Sequence, residues 1–359
     1  MKNIIVVLVF LSIALPSKFG IPLFLLTIMA MLIDDILRQK ISKRRLLTLL
    51  AFSLFLLLQD IIFSDFYYDG IKLLFLFYIL SDDTRIFTRA ILLKISKSVL
   101  MISSFFIFTQ LVFPNATLWS YISENQAQYD AFIAGYAPLS STGHPTHAAY
   151  INLICSVALF VAGAPVIYPL MGFMSLVLLK NKICLLAFII SIALSEKVRT
   201  RLFLFAPIIL VLFYMAYVFL FSHYIDEWTS SDFNAHTIRH RVDLFFSVIG
   251  QLDDFKFILF GEPDLVVYAG DYAFDSLLLL LLTRYGIVIT LLIYLLLYRR
   301  SIKVGGLSLF IAIAMPSLTA VTFYHPAFLF FIGALLSIKN NIYFNAGGIS
   351  LHPILQRSS

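Results

Sequence analysis

Long apolar runs recur along the whole of this 359-residue chain and leave little choice of fold. A membrane-spanning helix needs about 20 predominantly apolar residues, and a scan with a window of that length finds about twelve candidates. They are centred on residues 4–15, 19–33, 46–63, 71–80, 98–113, 147–162, 166–179, 183–194, 202–221, 274–298, 307–323 and 327–338. The sequence therefore predicts an all-α, polytopic integral membrane protein with about 10–12 transmembrane helices in a single membrane domain, 1–359.

The composition excludes several other classes of protein. Hydrophobic residues make up 61% of the chain and charged residues 13%, whereas globular domains have about 45–50% apolar and about 25% charged residues. The only two cysteines, Cys155 and Cys184, lie inside apolar runs, so a disulfide-rich secreted scaffold is excluded. The net charge of +6 reflects the distribution of basic residues among loops, and we expect no nucleic-acid partner.

Basic residues are concentrated in alternate loops, and this sets the expected orientation. When twelve helices are threaded in order, one side holds 18 of the 26 Lys and Arg residues together with both termini. Cytoplasmic loops carry an excess of Lys and Arg. We therefore expect this side to be cytoplasmic and the other side to be the outer face.

The outer face is expected to carry two long segments, 114–146 and 222–273. The first contains no Lys or Arg, and the second contains three against nine acidic residues. Each segment predicts an amphipathic helix at the membrane–water boundary, over 118–133 and over 236–252. Six of the seven histidines also fall outside the helices or at their outer ends, so we expect the polar chemistry at this face.

A Gly-His-Pro-Thr sequence at 143–146 precedes the sixth apolar run. Pro145 suits the first turn of a helix, since its missing N–H would be unpaired there, and the positive end of that helix would point outward. Such an end beside the imidazoles of His144 and His147 suits a phosphate group. The same two residues are half of a metal site, but no third ligand is near in sequence. A plain polar helix cap explains the turn equally well.

Three basic residues do not fit the charge bias. Lys180 and Lys182 lie in a turn on the outer side, against the positive-inside pattern. Either the hairpin over 166–194 takes a different path or these cations bind an anionic ligand, and we favour the ligand. Arg284 lies about ten residues into a leucine run, where an unpaired guanidinium costs at least a few kcal/mol, so it is a functional-site candidate. Asp275 lies nine residues earlier, about 2.5 turns away, and points to the opposite face of a straight helix.

The order of these motifs resembles that of the O-antigen polymerase (Wzy) family and, more loosely, that of the O-antigen ligases. The resemblance covers most of residues 114–298. The motifs are the Gly-His-Pro-Thr turn, the basic turn at 180–182, Arg239 and Arg241 followed by Phe260-Gly261, Asp275-Ser276-Leu277, and Gly286-Ile287. The Phe-Gly turn continues with Glu-Pro where a second glycine is common. Asp275 stands where ligases tend to have His, which favours a polymerase.

The resemblance implies a glycosyltransferase of the bacterial inner membrane. Such an enzyme moves a growing glycan from undecaprenyl diphosphate onto the non-reducing end of a new lipid-linked repeat unit, at the periplasmic face and without a nucleotide sugar. The partners implied are this lipid-linked oligosaccharide, the surrounding lipid, a chain-length regulator and a repeat-unit flippase. No cofactor is implied.

Cationic residues of the outer face suit a lipid diphosphate leaving group. Arg binds phosphate with two hydrogen bonds, which Lys does not, and either cation stabilises charge that develops on the departing diphosphate. No metal is required if these residues take that role. The candidate diphosphate ligands are Arg239 and Arg241, supplemented by Lys180, Lys182 and Arg284.

The acceptor hydroxyl needs a general base, and a carboxylate or an imidazole can serve. Asp275 is the first candidate for this catalytic role, and His144 or His147 is the second. Two other functions stay open from the sequence. One is an O-antigen ligase-type glycosyltransferase, and the other is a transporter of polysaccharide or lipid-linked sugars. A transporter would place charged residues along a path through the middle of the membrane, where only Arg284 is expected.

Overall fold

The structure is a computed structural model that describes residues 2–37, 42–63, 69–80, 87–195, 246–251, 253–262, 276–318 and 326–336. Within these ranges every regular element is an α-helix, as predicted. The helices are α1 (Lys2–Ala14), α2 (Ser17–Leu37), α3 (Lys43–Phe63), α4 (Asp69–Leu80), α5 (Arg89–Val112), α6 (Leu118–Ile122), α7 (Gln126–Ile133), α8 (Pro145–Val161), α9 (Ile167–Leu178), α10 (Lys182–Ala193), α11 (Phe255–Phe260), α12 (Leu277–Ser317) and α13 (Pro326–Leu336). Eleven of the twelve predicted runs overlap these helices. The run at 202–221 lies outside the described residues.

Four of the described helices are long and apolar enough to cross a membrane, by length and composition: α2, α3, α5 and α12. Helices α4, α9 and α10 have 12 residues each. At a rise of 1.5 Å per residue such a helix is about 18 Å long, against about 30 Å for the hydrocarbon core of a bilayer. The larger number of spans expected from the sequence therefore stays a prediction.

Most of the helices that follow a described loop begin at a polar capping residue. Asn, Ser, Thr and Asp side chains accept a backbone N–H of the first turn, which would otherwise lack a partner. The residues that cap helices in this way are Thr88 of α5, Asn125 of α7, Asn181 of α10, Asp254 of α11 and Ser276 of α12. The cap at Asn125 also divides the predicted helix over 118–133 into two short helices, α6 and α7.

Helix α8 is the centre of the bundle. Nearly all of its residues are buried, and it packs against α5, α9, α10 and α12. Tyr150 donates a hydrogen bond to the Ile313 carbonyl of α12 at 2.7 Å. A Cβ on Gly172 would overlap the Ser156 hydroxyl, so glycine lets α9 approach α8 closely. The start of α8 is therefore held rigidly by four neighbours, and this start carries His144 and His147.

Helix α12 is interrupted twice. The first break corrects the expectation of a continuous helix over 274–298, and the second falls between that run and the predicted run at 307–323. The backbone leaves the helical conformation at Gly286 (φ 75°, ψ 174°) and again at Gly306 (φ 71°, ψ −168°). About 19 residues separate these glycines; the first 12, up to Tyr298, carry no charge and are about 18 Å long, and the rest include Arg299, Arg300 and Lys303. Arg284 precedes the first break, so it does not lie within this stretch.

Polar contacts in the bundle join residues that the sequence assigns to the same side. The contacts on the side rich in basic residues are Arg45 Nη1 to Asp35 Oδ2 at 3.1 Å, Arg300 Nη2 to the Leu80 carbonyl at 2.6 Å and Arg89 Nη2 to the Ala162 carbonyl at 3.3 Å. Those on the opposite side are Lys18 to Ser123, Lys180 to Gly135 and Gln59 to Phe260. The bundle thus has two ends of different chemistry.

Candidate functional site

The turn before α8 brings the end of α6 against the start of α8. Gly143 has a φ of +75°, in the left-handed region that favours glycine, and a Cβ there would overlap the carbonyl oxygen of Ile122. The N–H of Glu124 donates to the Gly143 carbonyl at 3.1 Å. Glycine is required at this position because the two backbone segments touch. Their contact places Glu124 beside His144.

His144 caps α8. Its Nδ1 accepts the Thr146 N–H at 3.2 Å, and Pro145 follows at the start of the helix, as predicted. Thr142 Oγ1 donates to the His144 carbonyl at 3.0 Å. Burial lowers the pKa of His144 from 6.5 to about 4, because desolvation disfavours the charged imidazolium. The ring is therefore neutral near pH 7 and can accept the Thr146 N–H.

Glu124, His144 and His147 form one cluster. One ligand atom from each lies within 4.8 Å of the others, and His147 Nδ1 is 3.7 Å from Glu124 Oε2. The two imidazole rings are stacked, with centroids 4.4 Å apart and planes at 25°. The ring of Phe328 from α13 meets His147 edge-on at 5.3 Å. The side chains of His147 and Glu124 are 14% and 32% exposed, but their facing Nδ1 and Oε2 atoms are buried, so the cluster is recessed.

A buried polar network fixes the loop that leads to this cluster. Ser140, with a φ of 59°, donates its N–H to Gln110 Oε1 at 2.8 Å, and Gln110 Nε2 donates back to the Ser140 carbonyl at 3.3 Å. Ser103 Oγ lies 2.7 Å from Ser140 Oγ, and Asn152 Nδ2 donates to Ser103 at 2.9 Å. Helices α5 and α8 therefore both hold the loop.

Two lysines from other parts of the chain bind the first outer segment, which has no Lys or Arg of its own. The Lys18 ammonium group donates to the carbonyls of Tyr121 and Ser123, the latter at 3.4 Å. The Lys180 ammonium group donates to the Gly135 carbonyl at 2.9 Å, and its backbone has a φ of 53°. Lys180 is thus partly engaged in holding the outer segment. The ammonium group has three donors, so it can still bind an anion.

The Phe-Gly turn and the break in α12 contact each other. A Cβ on Gly261 would overlap the Thr283 carbonyl oxygen, and one on Gly286 would lie 2.7 Å from the Ile258 carbonyl oxygen. Gln59 of α3 is buried between them and donates to the carbonyls of Phe260, at 2.8 Å, and Arg284. Two motifs that are 25 residues apart in sequence therefore form one backbone junction, with Arg284 in it.

The described residues bring together only part of the predicted site. The rings of His144 and His147 are stacked on each other. Lys180 contacts the same outer segment at Gly135, nine residues before His144. Lys182 begins α10, directly after that turn. The remaining predicted site residues, Asp275, Arg239 and Arg241, lie outside the described residues, as does most of the predicted helix over 236–252.

The residue that the sequence analysis missed is Glu124. The sequence pattern places it on the polar face of the predicted helix over 118–133, together with Ser123 and Gln128. One signal was available: Glu124 and Asp130 are the only charged residues in 114–146. Lys18 was also missed, because a single lysine near the start of an apolar run has no distinguishing pattern.

No protein-family model matches this chain, and no curated protein matches it. The motifs and the geometry above are therefore the basis for a proposal about function.

Proposed function

We propose that this chain is a multi-pass inner-membrane glycosyltransferase that polymerises lipid-linked oligosaccharide repeat units into O-antigen or a related surface polysaccharide. The growing glycan passes from undecaprenyl diphosphate to a new lipid-linked repeat at the periplasmic face, and both termini are cytoplasmic. The observation that carries the proposal is the Glu124–His144–His147 cluster. It provides recessed polar groups at one end of an apolar bundle.

Exposed apolar surface supports the membrane part of the proposal. The best membrane-spanning window of α3 is only 11% buried, and Leu47 and Ile61 are 71% and 75% exposed. Apolar patches of this extent are rare on soluble monomers because their hydration is unfavourable. Contact with lipid chains removes that penalty.

The arrangement of cations supports transfer from a lipid diphosphate. Arg239 and Arg241 are the proposed diphosphate ligands, and Lys180, Lys182 and Arg284 supplement them. Charge that develops on the leaving group is stabilised most by fixed donors in a partly dehydrated site. Lys180 lies on an exposed turn, and its bond to the Gly135 carbonyl fixes the position of one such donor.

The position of the break in α12 favours a surface enzyme over a transporter. Transporters bind substrate near the middle of the membrane, between discontinuous helices. Here the break at Gly286 contacts the Phe260-Gly261 turn, which the sequence assigns to the outer segment. In the proposed topology Arg284 is therefore at the outer boundary, where it costs less than at mid-membrane.

The test uses a strain in which the gene is replaced by variants. Arg239→Ala or Arg241→Ala is expected to leave the protein in the membrane while cells accumulate lipid-linked single repeats and lose long chains. Glycan chain length is read by gel electrophoresis. Lys256→Ala is the matched control, because Lys256 lies in the same outer segment and is used in a contact with the Phe63 ring at 4.3 Å.

Normal chain length in both arginine variants would remove these residues from the mechanism. The same strains separate the other two functions. Long chains that stay on undecaprenyl diphosphate in a deletion strain would identify a ligase, and single repeats retained at the cytoplasmic face would identify a transporter.

A further inference from the structure

The spacing of Glu124 and His147 fits a shared metal ion better than a hydrogen bond. Their Nδ1 and Oε2 atoms are 3.7 Å apart, whereas an N–H···O hydrogen bond extends to about 3.2 Å. Two ligands bound at about 2.0–2.1 Å to one tetrahedral Zn²⁺ lie about 3.4 Å apart. A shift of a few tenths of an ångström, within ordinary side-chain motion, would allow both atoms to bind the same ion.

Glu124 is the third ligand that the sequence did not show, and His144 completes the set. The ligand atom of His144 lies within 4.8 Å of those of Glu124 and His147, and its ring is stacked on that of His147. The three residues come from two segments that Gly143 holds in backbone contact. The backbone on both sides of the cluster is held by these contacts, so ion binding requires changes in side-chain positions only.

We propose that Glu124, His144 and His147 bind a divalent transition-metal ion, of which Zn²⁺ is the best match. Two imidazoles and one carboxylate form a nitrogen-rich set that suits Zn²⁺, whereas Mg²⁺ and Ca²⁺ prefer oxygen ligands. Three protein ligands leave a fourth position open, as in catalytic zinc sites. That position takes an oxygen atom, either of a phosphate or of a hydroxyl group.

The hydrogen bond by which His144 caps α8 competes with ion binding. A neutral imidazole has one acceptor nitrogen, and Nδ1 already accepts the Thr146 N–H. To bind the ion, His144 must rotate its ring and release that bond. His144 is therefore the weakest of the three ligands, and its replacement reduces affinity less than replacement of Glu124 or His147.

Ion binding has one consequence that rests on the proposed function. With both imidazoles bound to the ion, neither His144 nor His147 has a free lone pair to act as the base. The role of base then passes to Asp275 alone. Because ion binding is measured on purified protein without substrate, its failure is distinguishable from failure of glycan polymerisation.

The test measures metal affinity in the full chain, purified in detergent with a tag that contains no histidine. After removal of metal by a chelator, Zn²⁺ is titrated in competition with a chromophoric chelator, and the stoichiometry is checked by elemental analysis. We expect one Zn²⁺ per chain, and Co²⁺ in its place is expected to give the visible absorption of a four-coordinate site. Glu124→Gln or His147→Gln is expected to weaken binding by at least about 100-fold. Loss of a group that only supports a ligand costs about 10–100-fold, and loss of a ligand itself costs more.

Two variants make the result specific. Asp130→Asn removes the other carboxylate of the same segment, which binds Gln126 instead, and is expected to leave affinity unchanged. His144→Asn removes an imidazole but keeps a side chain favoured at helix N-caps, and is expected to weaken binding by less than His147→Gln. Wild-type protein that retains less than one ion per chain, or equal affinities for Glu124→Gln and Asp130→Asn, would overturn the proposal.

Discussion

At the scale of single residues, the outer site depends on Gly143. Its φ of +75° and its contact with the Ile122 carbonyl oxygen are two separate reasons for glycine. Gly143→Ala is expected to lower the free energy of unfolding by about 3 kcal/mol, since a strained backbone costs about 1–3 kcal/mol and the overlap adds to it. The measurement is the thermal unfolding midpoint in detergent.

Gly135→Ala is the matched control for that substitution. Gly135 has a similar φ of +82°, but a Cβ there would meet no atom within 4 Å. Its replacement is therefore expected to cost only the backbone term, about 1–2 kcal/mol. Equal losses for the two variants would mean that the approach of α6 to the His144 turn contributes nothing to stability.

At the scale of the elements, Gln59 links α3 to the break in α12. It is 1% exposed and supplies N–H donors to two carbonyls that helix geometry leaves free, those of Phe260 and Arg284. Each buried acceptor left without a donor costs about 1–3 kcal/mol. Gln59→Leu is therefore expected to lower the free energy of unfolding by at least about 2 kcal/mol, measured as a lower unfolding midpoint.

Gln126→Leu tests whether that loss is specific to the junction. Gln126 lies on the exposed surface of α7 and bonds only Asp130 among the contacts observed. Surface substitutions of this kind stay within about 0.5 kcal/mol. A midpoint for Gln59→Leu that matches the midpoint for Gln126→Leu would show that the junction does not depend on Gln59.

At the scale of the whole molecule, the proposed topology can be tested with cysteine labelling. The two native cysteines are buried, so the background is low. Ala127→Cys, on exposed α7, is expected to react with a membrane-impermeant maleimide in intact cells. Lys43→Cys, at the exposed start of α3, is expected to react only after permeabilisation. The opposite pattern would reverse the orientation and move the site to the cytoplasm.

Helix positions could be predicted from the sequence, but contacts between segments could not. Apolar runs identify helices because a membrane-spanning or buried segment must be apolar over its length. The break in α12 is invisible to this signal, since apolar residues lie on both sides of it and the turn that it contacts, at Gly261 after the end of α11, is distant in sequence. Glu124 and His147 are 23 residues apart, and only the path of the loop between them brings them together. His144 and Pro145 were found because helix starts have local signals.

The dependence of segment 114–146 on Lys18 and Lys180 has a consequence for biosynthesis. A stretch without Lys or Arg offers no resistance to export through the translocation machinery, because retained cations are what anchor a loop inside. Lys18, at the start of α2, is synthesised before this segment, and Lys180, in the turn before α10, is synthesised after it. In the proposed topology, segment 114–146 can therefore make its contact with Lys180 only after the hairpin containing residue 180 has been inserted, which places its maturation after its own synthesis and export.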